Sequence, residues 1–425
     1  MNTTTHRKTC FFLIMAGLFL IQDQLQDWFV PFQYFDEAVG LLIVPMFFIR
    51  ARQNRLHIGS SRRTLALYLC LLIFWLFGWL GHFVYRYQPL TNALKDSYVN
   101  IKFFLAFGGS FLFFDDHQLN FRQMKRKIWP ILNAVTLLLF LLTVIDLFFG
   151  VFSTDTRGVF RAVKLFYSTQ TVLVANCVFL SSIYLWYYDR HKTRIVLPMT
   201  LLCIIMFCTI RVKTMGAIAA ILLIYIFVLR RKKLSRMSRA MKACLIGLLL
   251  FAGISILYQT VRYYYTMGTE SARAMLTLAA PFVAWDHFPF GSGWGTFASA
   301  FSAEPYSPVY GMYRMAGIWG LSPSYPAFVS DTYWPTIIGE CGYFGFIFFL
   351  IALILFVKKF LNLKTVSRTS YASALMVLLY LLISSTSESA LANPMAIPLA
   401  CWLGFLLAEQ RYIRRQKQIR KRNAA

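Results

Sequence analysis

The chain has 425 residues, of which 58% are hydrophobic and only 14% charged. A soluble globular chain carries about a quarter charged residues, so the composition excludes an ordinary water-soluble protein and points to a bilayer as the solvent. The formal net charge of +26 would suggest nucleic acid on a soluble protein. Here the basic residues fall between apolar runs rather than along one face, which the positive-inside rule explains and which removes nucleic acid as a partner.

In chain order, apolar runs predict helices at 9–22, 28–49, 64–85, 98–114, 128–150, 169–188, 195–210, 214–229, 241–258, 334–357, 370–387 and 395–410. Most are near the 20 residues that span a hydrocarbon core. The expected fold class is therefore an all-α, polytopic membrane protein of about twelve spans. The first run follows Arg7 and Lys8 like a signal sequence, but no small-x-small cleavage site follows it, so it reads as a short first membrane helix. Asp36 and Glu37 inside the second run mark a hairpin that does not fully cross. The segments 1–8, 50–63, 115–127, 189–194, 230–242, 358–368 and 411–425 hold 32 of the 43 Lys and Arg residues. That bias places both termini in the cytoplasm. The eight cysteines lie in or beside apolar runs without a CxxC pair, and read as small buried apolar residues rather than a disulfide or zinc framework.

Three regions follow: membrane helices over 1–258, one large outer loop over 259–333, and further membrane helices with a basic tail over 334–425. The loop is rich in aromatics, Gly and Pro, and a loop this long without a disorder-like composition is usually functional. Within it, Thr269-Glu270-Ser271 can cap a helix running to about Trp285, and Phe290-Gly291-Ser292-Gly293-Trp294-Gly295 reads as a tight turn.

Walker A, nucleotide-binding GxGxxG and HExxH motifs are absent, and no metal site or other cofactor is expected. The informative residues are basic groups outside the cytoplasmic segments, because the positive-inside bias acts against them. Arg211 and Lys213 sit in an almost loopless turn between two apolar runs, held at the outer boundary. Arg262, Arg273 and Arg314 lie in the outer loop. Arg273 occupies the first turn of the predicted helix, where a cation opposes the helix dipole. Clustered arginines at an interface suit a diphosphate, whose oxygens match the guanidinium fork. Asp331, just before the next helix, is either a helix cap or a general base. Glu340, inside an apolar helix, needs an arginine or a backbone donor as partner. His287 reads as a structural or supporting group, and His82 as an interfacial one. The loop aromatics, Trp294 and Trp319 among them, suit sugar stacking and membrane interfaces alike.

Three landmarks resemble the O-antigen ligase and polymerase superfamily of bacterial membrane glycosyltransferases. They are Thr209-Ile210-Arg211 with Met215-Gly216-Ala217 and the basic run Arg230-Arg231-Lys232-Lys233; Arg273 followed by Asp286-His287-Phe288-Pro289-Phe290-Gly291-Ser292-Gly293; and Asp331 nine positions before Glu340-Cys341-Gly342-Tyr343-Phe344-Gly345. They cover about 200–355. The resemblance implies a GT-C-like helical fold in a bacterial inner membrane and polymerisation of undecaprenyl-diphosphate-linked repeat units at the outer face. It implies that Arg211 and Arg273 contact the lipid diphosphate; on the residues themselves Lys213 and Arg314 are expected to join them, and Asp331 to assist the attacking hydroxyl. It also implies a flippase and a chain-length regulator as partners. Ligases of this pattern carry histidine and asparagine where this chain has Asp331-Thr332, which favours a polymerase over a ligase acting on lipid A-core. A transporter without chemistry is the rival from another class, and the large outer loop is atypical of one.

Overall fold

A computed structural model describes residues 3–52, 62–157, 160–189, 191–230 and 267–424, with scattered residues from 238 to 262. The helix expected at 241–258, with Cys244, lies largely outside the described residues. Among the described residues the protein is all-α apart from two short antiparallel strands, Thr156–Arg157 and Phe160–Arg161, and one isolated bridge between Ser322 and Tyr325. Among the described residues six helices are long and apolar enough to cross a membrane, or seven if one bent pair counts as a span.

The bent pair is α1 (Thr3–Leu20) and α2 (Gln22–Trp28), which meet at 69°. A 3-10 turn (Val30–Tyr34), α3 (Phe35–Leu41) and α4 (Ile43–Arg52) form the next crossing. There follow α5 (Arg62–Tyr85), α6 (Leu90–Phe114), α7 (Phe121–Phe149), α8 (Gln170–Tyr187), α9 (Val196–Cys208) and α10 (Val212–Leu223), which runs on as a π-turn to Leu229. The outer loop contributes α11 (Ala272–Asp286) and α12 (Pro308–Met312). The chain then continues as α13 (Trp334–Leu361), α14 (Arg368–Ser384) and α15 (Ala396–Ala424).

Hydrophobicity decides each helix's place. In α8 every residue from Val172 to Tyr187 is buried, and a helix apolar on all sides belongs in the middle of a bundle. It packs on α14, α9 and α7. Helix α7 instead turns Leu137, Leu138, Leu141 and Ile145 outward, the pattern of a wall facing lipid. The close pairs α5 with α13 and α6 with α15 complete the frame.

The two ends of the bundle differ chemically. At the basic end, Thr4 and Lys8 of α1 bond Gln118 (2.9 Å) and Asp116 (2.8 Å), and Arg411 of α15 bonds Asp115 (2.5 Å). Both ends of the described chain thus meet at the 115–118 turn. Burial alone would raise the Asp116 carboxyl; the hydrogen bond and charge of Lys8 overcome it and hold the group below the usual carboxylate range. The 267–333 loop covers the opposite end.

Asp36 and Glu37 do not mark a simple hairpin tip. Lys102 of α6, 1% exposed, pairs with both, and Gln22 donates to Asp36 at 3.2 Å. Charges at this depth persist only when paired. The cluster fastens the α2 to α4 stretch to α6.

Helix α13 is broken at Gly342, whose φ of +65° and ψ of −178° interrupt the helical ladder. The 290–293 turn fills the break. Ser292 N–H donates to the Gly339 carbonyl (2.9 Å) and Gly293 N–H to the Glu340 carbonyl (3.0 Å), satisfying acceptors that the kink would orphan. Gly342→Ala is expected to destabilise the protein. The backbone conformation alone costs about 1–3 kcal/mol for an L-residue. The new methyl would also sit 2.8 Å from Gly291 N and 2.9 Å from the Pro289 carbonyl. Thermal melting in detergent checks this, with Gly311→Ala, where nothing lies within 4 Å, as the control. Equal melting of the two variants would refute it.

Candidate functional site

The end of the bundle opposite the 115–118 turn holds a cavity of ≈ 440 Å³ into which Arg211, Lys213, Arg273 and Asp331 all project. These residues come from three separate parts of the chain.

Arg211 is the N-cap residue between α9 and α10. The preceding Ile210 has a φ of +50°, an outlier for a β-branched side chain, and such strain persists only where the surroundings impose it. Thr209 and Thr214 close the turn with a 3.0 Å hydroxyl contact. Arg211 then donates to Gln170 of α8 at 3.0 Å. Two residues on, Lys213 forms a 2.8 Å ion pair with Glu388, in the Ser-rich stretch between α14 and α15.

Arg273 lies on the first turn of α11, as the sequence predicts, and Ser271 takes the N-cap position without a side-chain capping bond. The cation that the helix dipole disfavours is compensated by Asp331, 2.9 Å away. Asp331 is therefore not a helix cap; Tyr333 holds that position on α13. Ser389 donates to the carbonyls of Ser330 (2.9 Å) and Thr332 (3.2 Å), so the Glu388 segment is laced to the Asp331 segment. The cavity thus presents three cations, Arg211, Lys213 and Arg273, beside the carboxylates of Asp331 and Glu388 and the carboxyl of Asp96. Glu388 pairs with Lys213 and Asp331 with Arg273 across this space.

The cavity floor is set by two carboxyls of the spanning helices. Asp96 of α6 accepts Gly295 N–H (2.9 Å) and the Ser299 hydroxyl (2.6 Å). Glu340 accepts the N–H groups of Thr296 (2.7 Å) and Phe297 (2.9 Å). Glu340 therefore has backbone donors, not an arginine, and does not line the cavity. Thr336 of α13 adds a bond to the Ala298 carbonyl at 2.7 Å. Tyr310 accepts Ala298 N–H at 3.0 Å; burial pushes its phenol above the usual range, so it serves this loop as a neutral group. Asp96 and Asn100 face the cavity as well.

The remaining expected residues lie elsewhere. Arg314 and Arg262 are exposed and outside the cavity. His287 ends α11, with Nδ1 donating to the Val283 carbonyl (2.8 Å) and Nε2 lying 3.1 Å from the Tyr87 hydroxyl, so it braces the loop rather than the cavity. His82, in the last turn of α5, is buried at 5% exposure beside Trp79. Of the loop aromatics, Trp294, Tyr310 and Tyr333 are core residues, and Trp319 and Tyr325 stack in the open.

Sequence reasoning did not pick out Glu388, Asp96 or Asn100. Glu388 had one available signal, an acid in the polar Ser384–Asn393 interval between apolar runs. Asp96 had a weaker one, because the apolar run of α6 starts after it and placed it outside the helix. No known protein family matches the chain, and no curated protein resembles it closely enough to count as a match.

Proposed function

We propose that the protein polymerises lipid-diphosphate-linked oligosaccharide units at the outer face of a bacterial inner membrane. The observation that carries this reading is the convergence of Arg211, Lys213 and Arg273 on one cavity with Asp331 among them. In this reading a diphosphate displaces Asp331 and Glu388 from their cations, and the guanidinium forks take its oxygens. A hydroxyl of the acceptor unit attacks the anomeric carbon. The new glycosidic C–O bond forms as the bond from that carbon to the phosphate oxygen breaks. The electron pair leaves on the lipid diphosphate, whose developing charge the cations neutralise. The hydroxyl proton passes to Asp331, freed from Arg273. No nucleotide enters the step.

Twelve crossings in a GT-C-like arrangement are part of this proposal. Among the described residues the seven long or bent spans, the shorter apolar helices α9, α10 and α14 and the apolar first half of α15 support this, and the remaining crossing is the sequence expectation at 241–258, which lies largely outside them. The basic end would then face the cytoplasm with both termini, and the cavity would open outward.

The test is a gel and lipid-fraction analysis of surface glycan from a strain lacking the protein. Single repeat units persisting while long chains vanish supports polymerisation. Finished chains accumulating on the lipid carrier would instead mean ligation to a final acceptor. Asp331→Asn keeps the shape and removes the base, so transfer is expected to fall about 10²–10⁴-fold. Binding of the lipid-linked unit to the purified variant should persist. Unchanged transfer would remove Asp331 from the proton path.

A further inference from the structure

A second cavity, of ≈ 390 Å³, opens at the same end of the bundle, between α2 and the 151–168 segment. Its wall is fastened by three hydrogen bonds. Ser168 donates through N–H (2.9 Å) and hydroxyl (2.7 Å) to Asp23, and Gln24 donates to the Phe166 carbonyl at 2.6 Å. Ser168 lines this cavity and the next residue, Thr169, lines the first. Consecutive Cα atoms are about 3.8 Å apart, so the two cavities lie on either side of a single strand of chain.

The lining selects a ligand class. Among the described residues, the side chains of Gln26, Asp27 and Lys164 make no hydrogen bond within the chain, although all three face this space. The carboxylates of Asp23 and Asp27 oppose an anion, and Lys164 opposes a metal cation. What remains matched is a neutral, polyhydroxylated molecule that both donates and accepts hydrogen bonds. Carboxylate, amide and ammonium groups supply both roles. Phe152 and Phe166, half-buried and with ring centres 6.2 Å apart, add apolar surface for the C–H faces of a sugar.

We infer that this second cavity is a saccharide-binding subsite, which holds the glycan next to the unit reacting in the first. The inference rests on the proposed function for the identity of the glycan, but the cavity's own chemistry selects the sugar. A subsite of this kind keeps a long chain near the site between additions and leaves the transfer step itself to the first cavity.

The test uses the full-length protein in lipid nanodiscs. The probe is the water-soluble oligosaccharide released by mild acid from the host's own lipid-linked units. Saturation-transfer NMR is expected to show binding to the wild type and to Arg273→Ala. At least fivefold weaker binding is expected for the double variant Gln26→Ala, Asp27→Ala and for Lys164→Ala. These half-buried or exposed positions should leave the melting temperature and elution profile unchanged, which separates lost binding from lost folding. In cells the double variant should still polymerise but give shorter chains. Wild-type binding and wild-type chain length in both variants would overturn the subsite. A failure of the wild-type gene to restore long chains in the deletion strain would instead overturn the function, because the binding measurement stands independently of it.

Discussion

An Arg273→Ala protein is expected to reach the membrane at wild-type levels and to yield no long-chain glycan. Arg273 stands at the N-terminal turn of α11, where the helix dipole disfavours a cation, so its removal relieves rather than strains the helix. The ion pair it loses is partly open, with Arg273 26% and Asp331 33% exposed, so folding should depend little on it. The loss falls on the reaction. Removing one preorganised group that stabilises developing charge costs about 10²–10³-fold in rate. Arg273→Lys keeps the charge but loses the two-pronged geometry, and an intermediate yield of shorter chains is expected. Immunoblots of membrane fractions beside glycan gels give both quantities. Normal polymer from the alanine variant would end the role assigned to this side chain.

Lys102→Ala should act in the opposite sense, on folding rather than on the cavity. Lys102 and Asp36 are 1% and 0% exposed, and Glu37 shares the same ammonium. Deleting the cation strands the Asp36 carboxylate where water cannot reach it, beside a Glu37 that is 26% exposed, and breaking a buried pair from one side costs about 3–5 kcal/mol. The expected result is a large drop in thermal stability and increased proteolysis over 22–52. A triple variant, Lys102→Met with Asp36→Leu and Glu37→Gln, removes the charges together and should recover much of the loss, since well-packed apolar replacements for buried ion pairs are often neutral. If Lys102→Ala melts with the wild type, the cluster is not what fastens the α2 to α4 stretch.

The helices were legible because apolar runs and the charges between them are local signals. So were α11 and the 290–295 turn, where Ser271 and three glycines of positive φ mark the backbone. The starts of α6 and α7 were not. Hydropathy ends at Tyr98 and Ile128, whereas the helices begin at Leu90 and Phe121. Polar residues ended the apolar run without ending the helix, because Asp96 finds its donors in the outer loop and the basic turns of α7 reach the charged end of the bundle. Arg211, Lys213, Arg273 and Asp331 could be singled out as charges in costly places, and they share a cavity. Arg314 satisfied the same criterion and stands in solvent, because a charge on an exposed loop carries no cost to reveal. Glu388 was hidden by its neighbours: among serines it reads as ordinary loop, and only the fold brings it to Lys213.

The two buried charges of α6 differ in how long they wait during synthesis. Lys102 meets Asp36 and Glu37, made about 65 residues earlier, so its charge can be neutralised as α6 emerges. Asp96 depends on Gly295 and Ser299, which follow it by 199 and 203 residues. Chains are made from the N-terminus at about 5–20 residues per second, so for tens of seconds this carboxyl has only the Asn100 amide, one helical turn on, as a donor. Until the loop arrives, α6 has reason to keep its outer turns in contact with water or with the insertion machinery. Maturation of the cavity is thereby tied to the last third of the chain, and a ribosome that stalls before residue 295 leaves a half-made protein marked by an uncovered acid.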